Sequence, residues 1–393
     1  MRSWTKRSAA VCAISVLARI AAAAQAPQPA IALVDPADAQ QWRKWTQELG
    51  WQLIIPTVPN GASADSRVEA VAAAVQAAIK DAAAGPAHIY LAGRAEAAAA
   101  VYYVISRVPD LWAGGLALGG SPKPALDTGR VFAVNFSDAP VLWISDGAGD
   151  SELTAQLKSA GLNVEWRSAK NVSIAQVFAT LLQHVHTEFP DHADCETNAP
   201  KFAHCYWMEP TKFDVAERNE VLSSSRTVLG SGASLALGEF GYKLDDPGPG
   251  VLVTALPKDY AGPLKIGDRL TELDGQPIIN ARDYSDRMNK MYAEKPMAGM
   301  VERGKEMIRF ETRVILPSPD AFVTARVQGT HSPEDKTIRI ISRSVTELRV
   351  TVPQAWVPAD LYWNGVPVED LSKPGCYLLT IDQELLNAAP CAK

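Results

Sequence analysis

Between Ala30 and about Val185, short apolar runs alternate with stretches of helical periodicity, and this alternation constrains the fold more than any other feature. Candidate strands are 31–34, 51–55, 88–92, 113–118, 141–145 and 163–167. They are apolar throughout rather than at every second residue, as expected of strands covered on both faces. The helices between them carry one apolar stripe each. Val68, Val71, Val75 and Ile79 share a face of a helix that is expected to begin at Asp65 as N-cap and to stop before Gly85. Strand and helix in strict alternation predict an α/β domain over residues 30–186, a parallel sheet with helices on both sides.

The period then changes. Residues 187–224 are polar and read as a linker holding one cysteine pair. From 225 to 316, strand runs sit between Gly/Pro/Asp turns, among them Gly248-Pro249-Gly250 and Asp274-Gly275, with one helix near 281–291. Residues 317–393 form a further strand-rich segment. A chain of 393 residues with 47% apolar and 21% charged residues fits two or three folded domains. Its net charge of −6 and the lack of a basic patch exclude a nucleic-acid partner.

The first 24 residues read as a secretory signal. Arg2, Lys6 and Arg7 precede the apolar stretch 9–18, and Ala21 to Ala24 supply a small-residue cleavage site. The apolar run is shorter than the ~20 residues that span a bilayer. The expectation is an exported chain, periplasmic or secreted, with no membrane insertion after cleavage. Four cysteines lie beyond Cys12: Cys195 with Cys205, and Cys376 with Cys391. They allow three pairings, with the two local ones preferred; a zinc site with His192 and His204 is the weaker alternative. No cofactor or metal is expected.

Tyr90 to Ala97 reads as strand, small-residue turn and helix start, the setting of the nucleophile elbow G-x-S-x-G. With Arg107-Val108-Pro109-Asp110-Leu111-Trp112, Gly119-Gly120-Ser121-Pro122 and Val141 to Asp150, this stretch resembles exported esterases of the dienelactone-hydrolase and polyester-depolymerase type. The resemblance implies an α/β-hydrolase fold with its nucleophile at Ala95, its acid at Asp150 and its histidine near Asn171. Ala95 has no lone pair for attack, and Asn171 is no imidazole. Asp150 is also placed to cap the helix that follows. The oxyanion loop falls on Val34-Asp35-Pro36-Ala37, where Pro36 has no N–H and Asp35 opposes developing negative charge. Three of four catalytic parts are therefore missing.

Phe240-Gly241-Tyr242, Gly250 to Thr254, Ala261 to Leu270 and Asp274-Gly275 occur in the order of a bacterial-type PDZ domain, and residues 225–316 resemble one. The resemblance implies that a peptide or protein terminus adds as a strand beside the segment after Tyr242, with the N–H groups of Phe240, Gly241 and Tyr242 receiving a carboxylate. Tyr284 and Met288 are expected either as groove walls or as core. Glu239 and Asp245 disfavour acidic peptides. The segment 317–393 resembles the small appendage of some exported esterases, and Tyr362 and Trp363 are expected to pack inside it before an Asn364-Gly365 turn. Together these readings predict a catalytically degenerate hydrolase relative acting through peptide or protein binding. The alternative is an active carboxylic-ester hydrolase whose nucleophile has moved, with Ser121 and Ser145 as nearby serines.

Overall fold

The computed structural model describes residues 28–81, 84–227, 232–291, 293–316, 323–382 and 385–391, so the segment 1–24 expected as a signal sequence lies outside the described residues. The alternating region forms six parallel strands: β1 (Ala30–Leu33), β2 (Gln52–Ile54), β3 (Ile89–Arg94), β4 (Gly114–Leu118), β5 (Val141–Ser145) and β6 (Val164–Ser168). Their order is β2-β1-β3-β4-β5-β6. Successive residues of β1 enter opposite cores. Ala30 and Ala32 pack with Val68, Val71 and Val75 of α2 (Ala64–Lys80) and with α3 (Ala98–Arg107). Ile31 and Leu33 pack on the other face with Trp42 of α1 (Ala39–Leu49) and with Phe178 of the helix at Ile174–Leu181. This double burial is why the strands read as continuous apolar runs. The domain is α/β-hydrolase-like in fold, and strand-rich sheets follow it.

The cap of α2 differs from expectation. Ser63, not Asp65, is the N-cap, its hydroxyl accepting from Ser66 N–H at 3.1 Å. Asp65 instead accepts from Tyr103 Oη at 2.7 Å, with Arg107, Arg130 and Lys201 within 4 Å. Burial opposes its charge, but the Tyr103 hydroxyl and these cations hold its carboxyl below the usual range.

The stretch read as a linker is the main departure. It forms β7 (His192–Thr197) and β8 (Met208–Phe213), which pair not with their neighbours in sequence but with strands more than a hundred residues on. Between them and those partners comes a separate antiparallel sheet: β9 (Ser234–Leu235), β10 (Val251–Leu252), β11 (Arg269–Leu273), β12 (Gln276–Pro277), β13 (Pro296–Arg303) and β14 (Glu306–Ile315), with one helix at Ala281–Asn289. The chain then adds β15 (Ala325–Ser332), β16 (Thr337–Arg343), β17 (Val345–Val352), β18 (Ala359–Trp363), β19 (Val366–Leu371), β20 (Gly375–Asp382) and β21 (Leu385–Pro390).

Two sheets result, β19-β18-β16-β15-β7 and β21-β20-β17-β8, sharing a core in which Trp207 meets Trp356 edge to face at 5.1 Å. Gly329 lets Trp207 lie flat against β15, since a Cβ there would stand 2.4 Å from the indole. The C-terminal segment is therefore no free-standing appendage. It is completed by residues 192–213, and the sheet of residues 234–315 is inserted within it. Trp363 is buried as expected, its Nε1 donating to Ser342 Oγ at 2.8 Å, and the Asn364-Gly365 turn has both φ angles positive.

One buried carboxylate fastens these parts. Glu196, 1% exposed, accepts from Ser224 Oγ, Ser225 N–H and Ser225 Oγ at 2.6–2.7 Å and from Thr324 Oγ1 at 2.5 Å. Those donors lie on the two stems of the inserted sheet. Asn135 of the parallel-sheet domain brackets the same residue, its side chain bonding both Glu196 N–H and Glu196 O at 2.8 Å. At the same seam the His204 imidazole meets the Asp110 carboxylate, which raises the histidine above its usual range.

Replacing Glu196 by alanine orphans four donors, and a buried unsatisfied donor costs about 1–3 kcal/mol. With partial rehydration, Glu196→Ala should lose about 3 kcal/mol of stability in urea denaturation and become protease-sensitive near Ser224. Unchanged stability would mean that the stems are held by other contacts.

Candidate functional site

The strand order reverses between β1 and β3, and in open α/β sheets the crevice beyond the strand C-termini at such a reversal is the natural ligand position. Ala95 stands there. β3 runs into it, Ala95 takes φ 52°, and a single helical turn leads into α3. The turn is tight because its neighbours are small. A Cβ on Gly93 would lie 2.4 Å from Ala97 O, and one on Gly120 would lie 2.1 Å from Ala95 O. This is the strained strand-to-helix elbow that presents a nucleophile at the top of a sheet. The residue at its exposed apex carries only a methyl group.

Asp150 is the first residue of the helix at Asp150–Ser159, and its side chain makes no cap bond. The capping expectation is thereby corrected. Its carboxylate turns back to accept from Ser145 Oγ at 2.6 Å and Gly147 N–H at 2.8 Å, while Ser145 Oγ accepts from Trp166 Nε1 at 2.9 Å. Beneath it the fully buried Tyr102 hydroxyl has no hydrogen-bond partner among the described residues; burial, with the Asp150 charge adding, pushes its pKa well up.

Asn171 ends an exposed turn after β6, where Ser168 donates to Asp146 at 2.6 Å. Ser121 Oγ accepts from Lys123 N–H at 3.3 Å. His184 and His186 follow the last helix of this domain, at Ile174–Leu181. His186 is half-buried, stacked on Tyr206 at 5.8 Å, with its N–H on Ala87 O before β3, at the opposite end of that strand from Ala95.

The loop expected to supply the oxyanion hole holds an ion pair. Asp35 bonds Ala37 N–H at 2.9 Å and Arg67 at 2.8 Å, and Arg67 also donates to Val34 O at 3.1 Å. Burial opposes the Asp35 charge, yet the Ala37 N–H and the Arg67 guanidinium hold its carboxyl below the usual range. Arg67 thus neutralises the carboxylate that sequence reading took as a free repulsive charge. Beside the pair opens a cleft of about 340 Å³ lined by Glu96, Tyr103, Thr128 and several alanines. No motif spacing pointed to Arg67.

The second candidate site lies in the inserted sheet. A groove of about 430 Å³ runs between residues 232–242 and the helix at Ala281–Asn289. Phe240, Tyr242 and Tyr284 form one aromatic wall, with ring centroids 5.7–6.3 Å apart. Tyr284 and Met288, 5% and 4% exposed, belong to the core and line the groove as well. Burial, and to a lesser degree Tyr242, raises the Tyr284 hydroxyl pKa. Tyr260, which the sequence did not single out, donates from its hydroxyl to Leu237 O at 2.5 Å and pins the loop before Phe240.

Two expectations about this groove need correction. Gly241 N–H is not open to a ligand: it donates to Ala255 O at 2.8 Å, and Gly241 O accepts from Thr254 N–H at 2.8 Å. Successive amides of an extended chain point to opposite sides. The N–H groups of Phe240 and Tyr242 therefore face away from Ala255, and neither has a backbone partner among the described residues. The segment after Tyr242 is also not a strand. Asp246 N–H closes a turn on Lys243 O at 3.2 Å, so the open edge ends at Tyr242.

The four cysteines form the two local disulfides, Cys195–Cys205 and Cys376–Cys391. The sulfurs of the first pair bind each other, His204 binds Asp110, and His192 Nδ1 lies 3.2 Å from Thr330 Oγ1, which removes the set for the zinc alternative. No described helix is long and apolar enough to cross a membrane.

No protein-family model matches the sequence, and no curated protein matches it. Among solved structures the chain is similar to esterase PE8, at 14% identity over 40% of this chain and 93% of that one, with a TM-score of 0.31. It is similar also to a variant of SOBER1 from Arabidopsis thaliana, at 16% identity over 39% and 98%, with a TM-score of 0.31.

A left-handed backbone costs an alanine roughly 1–2 kcal/mol, whereas glycine loses only about 0.5–1 kcal/mol through its freer unfolded chain. Ala95→Gly should therefore raise stability by about 0.5 kcal/mol in chemical denaturation, and Gly120→Ala should lower it through the clash with Ala95 O. A stability loss in Ala95→Gly would show that the alanine methyl has a packing role.

Proposed function

We propose that this chain is an exported α/β-hydrolase relative that has lost ester chemistry and works by binding an extended peptide or protein segment in the groove of its PDZ-like inserted domain, residues 225–316. The observation that carries the proposal is Ala95 at the apex of a retained, strained elbow, with Asp150 already bonded to Ser145 and Gly147. A triad that loses a member keeps ~10³–10⁴-fold over water only while its oxyanion hole and substrate pocket survive. Here the oxyanion loop is given over to the Asp35–Arg67 pair.

The groove offers what the elbow lacks. The amides of Phe240 and Tyr242 are spaced to bond one face of an extended chain, which supplies affinity independent of sequence. The aromatic wall beneath gives side chains a surface to fill. Export is supported by the two disulfides, which persist in oxidising compartments. The relocated-nucleophile reading finds no comparable support, since Ser145 is held between Asp150 and Trp166, with no histidine among its described hydrogen-bond partners.

The test is a fluorophosphonate probe and a panel of short-chain aryl esters, applied to the native chain and to Ala95→Ser. Neither protein should label or turn over ester above background, because the serine at 95 would still lack a general base. Stoichiometric labelling of any serine in the native chain would overturn the proposal.

A further inference from the structure

Resting on the peptide-binding reading, the charge of the groove narrows what it accepts. Its lining comprises Phe240, Tyr242, Tyr284 and Met288, neutral polar groups from Ser234, Ser285 and Asn289, and a single charged residue, Glu239. Glu239 is exposed and has no ion-pair partner among the described residues. Lys243 and Asp245, next along the chain, carry opposite charges and lie outside the lining. Among the described residues no lysine, arginine or histidine lines the groove, so an entering carboxylate would find no cation there to meet it. An entering cation would find a carboxylate and the faces of the half-buried Phe240 and Tyr242 rings.

We propose that the groove selects extended segments that place a lysine or arginine side chain beside Glu239 and over the Phe240–Tyr242 wall. The long aliphatic stem of such a side chain covers the rings while its head reaches the carboxylate, so the apolar and charged parts of the groove are used together. Each of the two attractions is modest at an exposed site. A cation on an aromatic face and an exposed ion pair together amount to roughly a tenfold preference over a neutral side chain of the same length. A glutamate at the same position meets like charge and no compensating donor.

The experiment immobilises the full chain and offers three pools of acetylated, amidated decapeptides. The pools are randomised over uncharged residues except at one central position, which is lysine, norleucine or glutamate. The lysine pool should be retained about tenfold more than the norleucine pool, with the glutamate pool lowest, and raising the salt from low to high should shrink the spread. Glu239→Lys should reverse the order of the lysine and glutamate pools. Equal retention of all three, or an order untouched by Glu239→Lys, overturns the charge preference and leaves peptide binding standing. No retention from any pool overturns the peptide-binding reading itself.

Discussion

The Glu196 carboxylate is the point on which the molecule is assembled. Burying a charge is costly unless its oxygens are filled, and here four donors fill them. Two sequence-distant stems, at Ser224–Ser225 and Thr324, meet at one place because that carboxylate needs both. Asn135 ties the same point to the parallel sheet. Residues 131–133 and 225–227 add backbone bonds, with Ala133 N–H to Ser225 O and Thr227 N–H to Val131 O, both at 2.8 Å. The inserted sheet is thus rooted on both neighbours at its base, while its groove opens between its own loop and helix.

The parallel-sheet domain keeps a tight strand-to-helix elbow whose apex residue carries only a methyl group. Gly93, Gly120 and the left-handed Ala95 keep the geometry that a nucleophile requires, and that geometry stores backbone strain. Around it Asp150 is bonded to Ser145 and Gly147, and Asp35 is paired with Arg67. Each of these contacts satisfies a carboxylate locally. Architecture alone does not fix activity, which depends on the groups placed at the site.

Where structure was set by local pattern, the sequence was informative. The six parallel strands followed from apolar runs between amphipathic helices, the elbow from small residues around Ala95, and both disulfides from cysteines close in the chain. What depended on distant partners was not legible. Residues 192–213 looked like a polar linker because Glu196, His192 and Lys212 dilute the strand pattern, and their pairing strands lie beyond the inserted sheet. Asp65 looked like a cap because aspartate favours that position, but Ser63 won it while three cations and Tyr103 claimed the carboxylate. The direction of the amides at Phe240 to Tyr242 depended on Ala255, which no spacing rule identifies.

The central claim is that the working surface of this protein is the groove and not the elbow. Hydrogen exchange of the full chain with and without a saturating peptide recovered from a binding selection tests it most directly. The account predicts slowed exchange confined to residues 232–242 and 281–289, with the amides of 94–107 unchanged. Protection centred on Ala95 and the start of α3, with the groove unaffected, would contradict it and return the function to the hydrolase-like domain.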